Sequence, residues 1–287
     1  MAEEMEFPML SEEAKRKIEA DVNAFMDLHI VNTPSYNLIG DPQTLADFID
    51  DLPDLEEDEL FFMSLFVRKK YMPEREPFEG EAISIPSSIQ LWRGGVKKEH
   101  ILKTVYSLEQ RLPYFTDKED MRFPPESFCL YIHPNPRNNH KASALMASSI
   151  VSKLANNQKL GNIQSEAKTF LQKTKSRSVF SHFDYDDVEE SFIHYSDTSK
   201  DFDIEEVPEE AGVVIHNCSL MASPYKTRSG IHLLIRNDEA KRLVKAGVLD
   251  KLWYKKLSEI EECDEHGDFM MPMVGCYQGG EHIVRKI

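Results

Sequence analysis

Four short apolar runs from Ser127 onward constrain the fold most: SFCLYIH from Ser127, VFSHFDYD from Val179, GVVIHNC from Gly212 and GIHLLI from Gly230. Each is only a few residues long and stops at a proline, an acid cluster or a polar turn, the signature of a strand rather than a helix. Between them lie stretches with helical spacing. One runs from Ala142 to Leu154, and another, NDEAKRLVKAGV, has Asn237 or Asp238 as its cap and Gly247 as its stop. Strands and helices mixed in this way give an α+β (α/β) class, with a mixed-sheet core behind a helical N-terminal region.

The first part of the chain reads as mainly helical. Ser11 precedes Ile18, Val22, Phe25, Met26 and Leu28, a helical stripe behind an N-cap between Leu10 and Ile30. Asp41-Pro42 opens a second helix over TLADFIDDL, and VKKEHILKTVYSLEQRL, ending before Pro113, gives a third. The run LFFMSLFVRKKYM is apolar to Val67 and basic after it, and its period does not separate a buried helix from a strand. Prolines and acids between Pro73 and Pro86 mark an exposed connection. The expected division is a helical region, 1–115, and an α/β core, 116–287, with one continuous domain as the alternative.

Charge narrows the partners. Lys and Arg number 34 against 50 Asp and Glu, a formal net charge of −16, and such a field opposes loose attachment to nucleic acid or an anionic membrane. A phosphate site must therefore be a local basic patch, and the candidates are Arg68 to Lys70, Lys97-Lys98, Arg137 to Lys141 and Lys173 to Arg177. The spacing of Cys129, Cys218, Cys263 and Cys276 suggests neither a zinc ribbon nor a disulfide framework. With no long apolar span and an acidic N-terminus, the expectation is a cytoplasmic protein with no membrane partner. P-loop, GxGxxG and HExxH motifs are lacking.

The sharpest chemical constellation is Phe183-Asp184-Tyr185-Asp186. On a strand Asp184 and Asp186 share one face, and two carboxylates so close favour a divalent cation with hard oxygen ligands, Mg²⁺ or Mn²⁺. The alternative is an acidic strand end in solvent. Lys226, Arg228, Ser229 and Gly230 form a basic turn feeding into the strand that carries His232, a set suited to phosphate. Asn135 and Arg137, with Lys141, follow the FCLYIH run at the start of a helix and are a further candidate for a nucleotide phosphate or a template. Asp268, after Gly267, is a candidate third carboxylate.

Taken in order, DxD, then Ser-Gly-x-His entering a strand, then a late Asp before a Pro/Gly turn, these elements resemble the archaeo-eukaryotic primase and primase-polymerase superfamily over roughly Ser127 to Ile287. The resemblance implies an RRM-type sheet core. It carries Asp184 and Asp186 onto the first acid motif, Ser229 and His232 onto the small-x-His motif, and Asp268 onto the third acid. Two positions depart from the pattern: Gly267 stands where a hydrophobic residue is usual, and Met271-Pro272-Met273-Val274-Gly275 replaces a tight Pro-Gly pair.

What the resemblance implies is metal-dependent nucleotidyl transfer from a nucleoside triphosphate, with single-stranded DNA or RNA as template and Mg²⁺ or Mn²⁺ held by Asp184, Asp186 and Asp268. Lys226, Arg228, Ser229 and His232 would grip the phosphates. A viral or mobile-element origin would place the protein in the bacterial cytosol or a phage-infected cell. Two alternatives remain: the same fold acting on a small nucleotide or RNA ends, and a non-catalytic accessory module that meets a protein partner through its acidic N-terminal helices.

Overall fold

The computed structural model describes residues 36–72, 87–117, 122–196, 213–216, 222–247, 249–280 and 282–287. The helix expected between Leu10 and Ile30 and the connection from Pro73 to Pro86 lie outside them.

The ambiguous run after Asp58 is a strand, β1 (Glu59–Arg68), buried along nearly its whole length. Burial on both faces explains why its sequence lacks the period-2 alternation of a half-exposed strand. β1 pairs antiparallel with β2 (Ser88–Val96) on one side and β3 (Phe128–Ile132) on the other. The two-residue β4 (Arg137–Asn138) adds to the start of β1, and β11 (Met271–Pro272) closes the far edge against β3. Before β1, helix α1 (Pro42–Asp51) starts at Asp41, whose carboxylate accepts from the backbone N–H groups of Gln43 and Thr44. Helix α2 (Ile101–Glu109), shorter than the stretch expected over 96–112, buries Ile101, Val105 and Leu108. The first core joins both helices to this sheet through Leu45, Phe48, Met63, Leu65, Val105 and Leu130.

The second sheet is antiparallel, in the order β10-β5-β9-β8-β12. Its strands are β5 (Phe180–Asp186), β8 (Ala222–Lys226), β9 (Gly230–Arg236), β10 (Cys263–Gly267) and β12 (Arg285–Lys286). A further two-stranded parallel pair joins β6 (Ile193–Ser196) to β7 (Val213–His216). One face of the second sheet sets Phe183, Tyr185, Ile231, Leu233 and Ile235 against α5 (Asn237–Lys245) and α6 (Trp253–Ser258), through Leu243, Trp253 and Leu257. Phe180 and Leu234 belong to the first core instead. Two helices lie between β4 and β5 in the chain, α3 (Asn139–Ala155) and α4 (Ile163–Lys173).

Residues 36–287 form one compact unit. The boundary expected near residue 115 is not a division here, because strands from before it pair with β3 in the same sheet. The mixed α+β class stands. The part before residue 115 contributes two long strands as well as helices.

Candidate functional site

Strand alternation puts His182, Asp184 and Asp186 on the face of β5 opposite Phe183 and Tyr185. β9 runs antiparallel beside it, with Asp184 directly across from His232 and Asp186 across from Gly230. A Cβ at position 230 would stand 1.9 Å from the Tyr185 carbonyl oxygen, so glycine is what lets the two strands close up at this point. His232 Nε2 lies 3.5 Å from Asp184 Oδ1.

β10 completes the constellation from the other side of β5. Glu265 pairs with Asp184, and a register shift between Cys263 and Glu265 puts Asp264 in a bulge. Neighbouring residues on a regular strand point to opposite faces, and a bulge re-aims one of them. Asp264 and Glu265 accordingly border the same cavity, of about 370 Å³, that Asp184, Asp186, Ser229 and His232 line. β1 and β3 supply the opposite wall, with Phe66, Arg68 and Tyr131, while Lys70 follows β1. The Phe66 and Tyr131 rings meet edge to face, 5.6 Å apart.

Among the described residues, four carboxylates thus face two cations, Arg68 and Lys70. The imbalance shows in the titration of the most enclosed acid. Burial, then the charges of Asp186, Asp264 and Glu265, push the Asp184 carboxyl from 3.8 up to about 7. Asp186 is raised too, by burial and by Asp264. His232 is driven the other way, down to about 3 by burial, so its imidazole is neutral at pH 7.

The resemblance implies a divalent ion, and the donor chemistry fits one: hard oxygens with excess negative charge that a cation would relieve. Among the described residues no three His, Cys, Asp or Glu side chains already stand as a ligand cage.

A second histidine stands behind the first. His182 Nε2 is 2.8 Å from His232 Nδ1, and the His182 ring stacks on Phe269 at 3.8 Å. A single proton bridges the two rings, so the tautomer of one determines that of the other. An anionic acceptor at His232 Nε2, whether ionised Asp184 or a phosphate oxygen, requires a proton on that nitrogen. His232 Nδ1 then accepts from His182. We expect His182→Leu to weaken anion binding at the cavity by about 10-fold and His182→Gln, whose amide N–H reaches the same place, to restore most of it. Isotope-shifted histidine ¹⁵N spectra would report the His232 tautomer directly; an unchanged tautomer and affinity in His182→Leu would remove this role.

Other residues singled out in the sequence are placed elsewhere. Asp268 does not line the cavity; both its oxygens face Arg137, at 2.7 Å to Nη1 and 3.0 Å to Nη2. Arg137 is 1% exposed, and a guanidinium so enclosed and so paired is a structural ion pair rather than a phosphate ligand. Asn135 is also fully buried and clamps the start of β5, its Oδ1 accepting from Val179 N and Phe180 N at 2.8 Å each and its Nδ2 donating to Phe180 O at 3.0 Å. Lys226 donates to the Val188 carbonyl at 2.8 Å and pairs with Glu189. Arg228 reaches the Gly279 carbonyl and covers the Tyr71 ring. The positive charge at the cavity comes from Arg68 and Lys70 instead.

Asp264 and Glu265 are the acids that reading the sequence missed. The signal was present: Cys263-Asp264 has the apolar-then-acid order that Gly267-Asp268 lacks. Comparison with protein-family models, curated proteins and solved structures finds no match to this chain.

Proposed function

We propose that the cavity between the two sheets is the active site of a metal-dependent nucleotidyltransferase of primase-polymerase kind, which takes a nucleoside triphosphate and extends a nucleic-acid strand. The observation that carries this reading is the cross-strand pair Asp184 and His232, with Asp186, Asp264 and Glu265 on one cavity wall and Arg68 and Lys70 on the other. The antiparallel sheet that presents the acids, backed by α5 and α6, supports the RRM-type expectation for the core.

Asp184, Asp186 and Asp264 would hold Mg²⁺ or Mn²⁺, with Asp264 taking the part first given to Asp268. Bound there, such an ion would neutralise phosphate charge and acidify the attacking 3′ hydroxyl. Arg68 and Lys70 supply the positive charge that draws the triphosphate in. Ser229 offers a hydroxyl and His232, neutral at working pH, an N–H donor to phosphate oxygens without adding charge. Phe66 and Tyr131, both half-buried, give an apolar wall for the base or sugar.

Primer extension tests the reading. With a labelled primer–template, the four nucleoside triphosphates and Mn²⁺, the wild type should add nucleotides. Asp184→Asn and Asp264→Asn should each lower the rate by about 100-fold or more, since even residues behind metal ligands are worth 10- to 100-fold. Failure of the wild type to extend either a DNA or an RNA primer would overturn the reading.

A further inference from the structure

The chain's charge is not evenly spread. Residues 137–177 hold eight Lys or Arg and one acid, Glu166, in a protein where acids outnumber bases 50 to 34. Segregation of this strength marks a surface for a polyanion. Three of the eight are used internally: Arg137 with Asp268, Arg177 with Glu59, and Lys153 with Glu166. The remaining five, Lys141, Lys159, Lys168, Lys173 and Lys175, have no ion-pair partner among the described residues, and Lys141, Lys159 and Lys173 are exposed.

These lysines are carried by the α3–α4 arm and the segments at its ends. Helix α3 has 17 residues and buries only Ala142, far less than a helix needs in order to serve mainly as a core element. Its sequence and the loop after it are rich in Ser, Asn and Gln, the side chains that, with Lys and backbone N–H groups, make most contacts to phosphate and sugar. Where α4 meets β2, a groove of about 320 Å³ is lined by Trp92, Arg93, Asn162, Gln164 and Lys168. Arg93 is held in place there, its Nη2 donating to the Ser165 carbonyl and hydroxyl and to Thr169 Oγ1. The groove combines positive charge, amides and an aromatic ring, the components of a single-strand track.

The arm also leads to the carboxylate cavity. Phe170 and Leu171 of α4 pack with Met270, Gln172 reaches the Met270 sulfur, and Met270 lines that cavity. We infer that the α3–α4 arm and the groove beside Trp92 bind the phosphate backbone of a single nucleic-acid strand and deliver it toward the cavity. This inference rests on the nucleotidyltransfer reading for its direction, but binding by the arm needs neither nucleotide nor metal. An acidic protein surface would satisfy the same lysines; continuity with the cavity favours the nucleic-acid strand.

The test is fluorescence anisotropy of the full chain with labelled single-stranded DNA and RNA of about 20 nucleotides, without nucleotide or divalent ion, over a salt series. Lys159→Glu/Lys168→Glu/Lys173→Glu is compared with a control of equal charge change on and after α5, Lys241→Glu/Lys245→Glu/Lys251→Glu. The arm variant should lose about 10-fold or more in affinity, with a salt dependence shallower by about 2, near 0.7 per lost contact on a single strand. The control should stay within about 2-fold of the wild type, and DNA and RNA should bind comparably. Equal loss in the two charge variants would overturn the inference. So would failure of the wild type to bind either strand, and the lysines would then be left to an acidic protein. If that failure came with intact metal-dependent nucleotide binding, the reading of the cavity would stand while the arm's role fell.

Discussion

Asp184→Asn is expected to make the metal-free protein more stable at pH 8, by roughly 2–4 kcal/mol, while abolishing metal-dependent nucleotide binding. The sign follows from the direction of the shift. The Asp184 carboxyl is pushed up to about 7 by burial and then by Asp186, Asp264 and Glu265, so the folded chain holds this proton more tightly than the unfolded chain does. The associated stability is full below 3.8 and is lost as pH climbs through about 7. At about 1.36 kcal/mol per unit the cost of ionising Asp184 in the fold is about 4 kcal/mol, and an uncharged amide avoids most of it. Urea unfolding in a chelating buffer should show wild type and variant equal near pH 4 and diverging until about pH 8. A variant less stable than the wild type at pH 8 would mean that the carboxylates are already compensated within the protein. A gain in stability joined to a loss of binding is the signature of groups held together for a ligand rather than for the fold.

Asp268→Ala is expected to do the reverse. Removing this carboxylate leaves Arg137, 1% exposed, with its charge uncompensated, and breaking a buried pair from one side costs about 3–5 kcal/mol. The double variant Arg137→Met/Asp268→Leu should recover most of that loss, since replacing both partners by apolar groups of similar volume removes the stranded charge. Nucleotide binding by the folded fraction of Asp268→Ala should match the wild type, because Asp268 faces Arg137 and not the cavity. Loss of binding in well-folded Asp268→Ala would return this residue to the metal-binding set. Together the two aspartates separate fold from function by opposite signs.

How much of this was legible in the sequence depended on whether local rules decide the outcome. The facing of Asp184 and Asp186 follows from strand alternation alone, and the strands carrying them and His232 lie where the apolar runs ended at turn residues. That β5 and β9 are neighbours, with Asp184 opposite His232, is a matter of pairing between segments far apart in sequence, which local rules do not decide. The choice among Asp264, Glu265 and Asp268, within five positions, was not local. It depends on a bulge in β10 and on Arg137, 131 residues away in sequence, capturing Asp268. The placement of the basic residues is set by similarly distant contacts. Lys226 and Arg228 looked right beside Ser229 and Gly230, but the first is drawn to Val188 and Glu189 and the second to Gly279 and Tyr71. Arg68 and Lys70, at the end of an apolar run whose period could not separate helix from strand, reach the cavity only because β1 sits at the centre of the first sheet.

The central claim is that the acids around Asp184 await a divalent ion and a triphosphate, and calorimetric titration of the wild-type chain with a nucleoside triphosphate, with and without Mn²⁺, tests it most directly. The account predicts binding that requires Mn²⁺ and disappears in Asp184→Asn/Asp186→Asn. Absence of binding in the presence of Mn²⁺, or binding that survives the loss of both carboxylates, would contradict it.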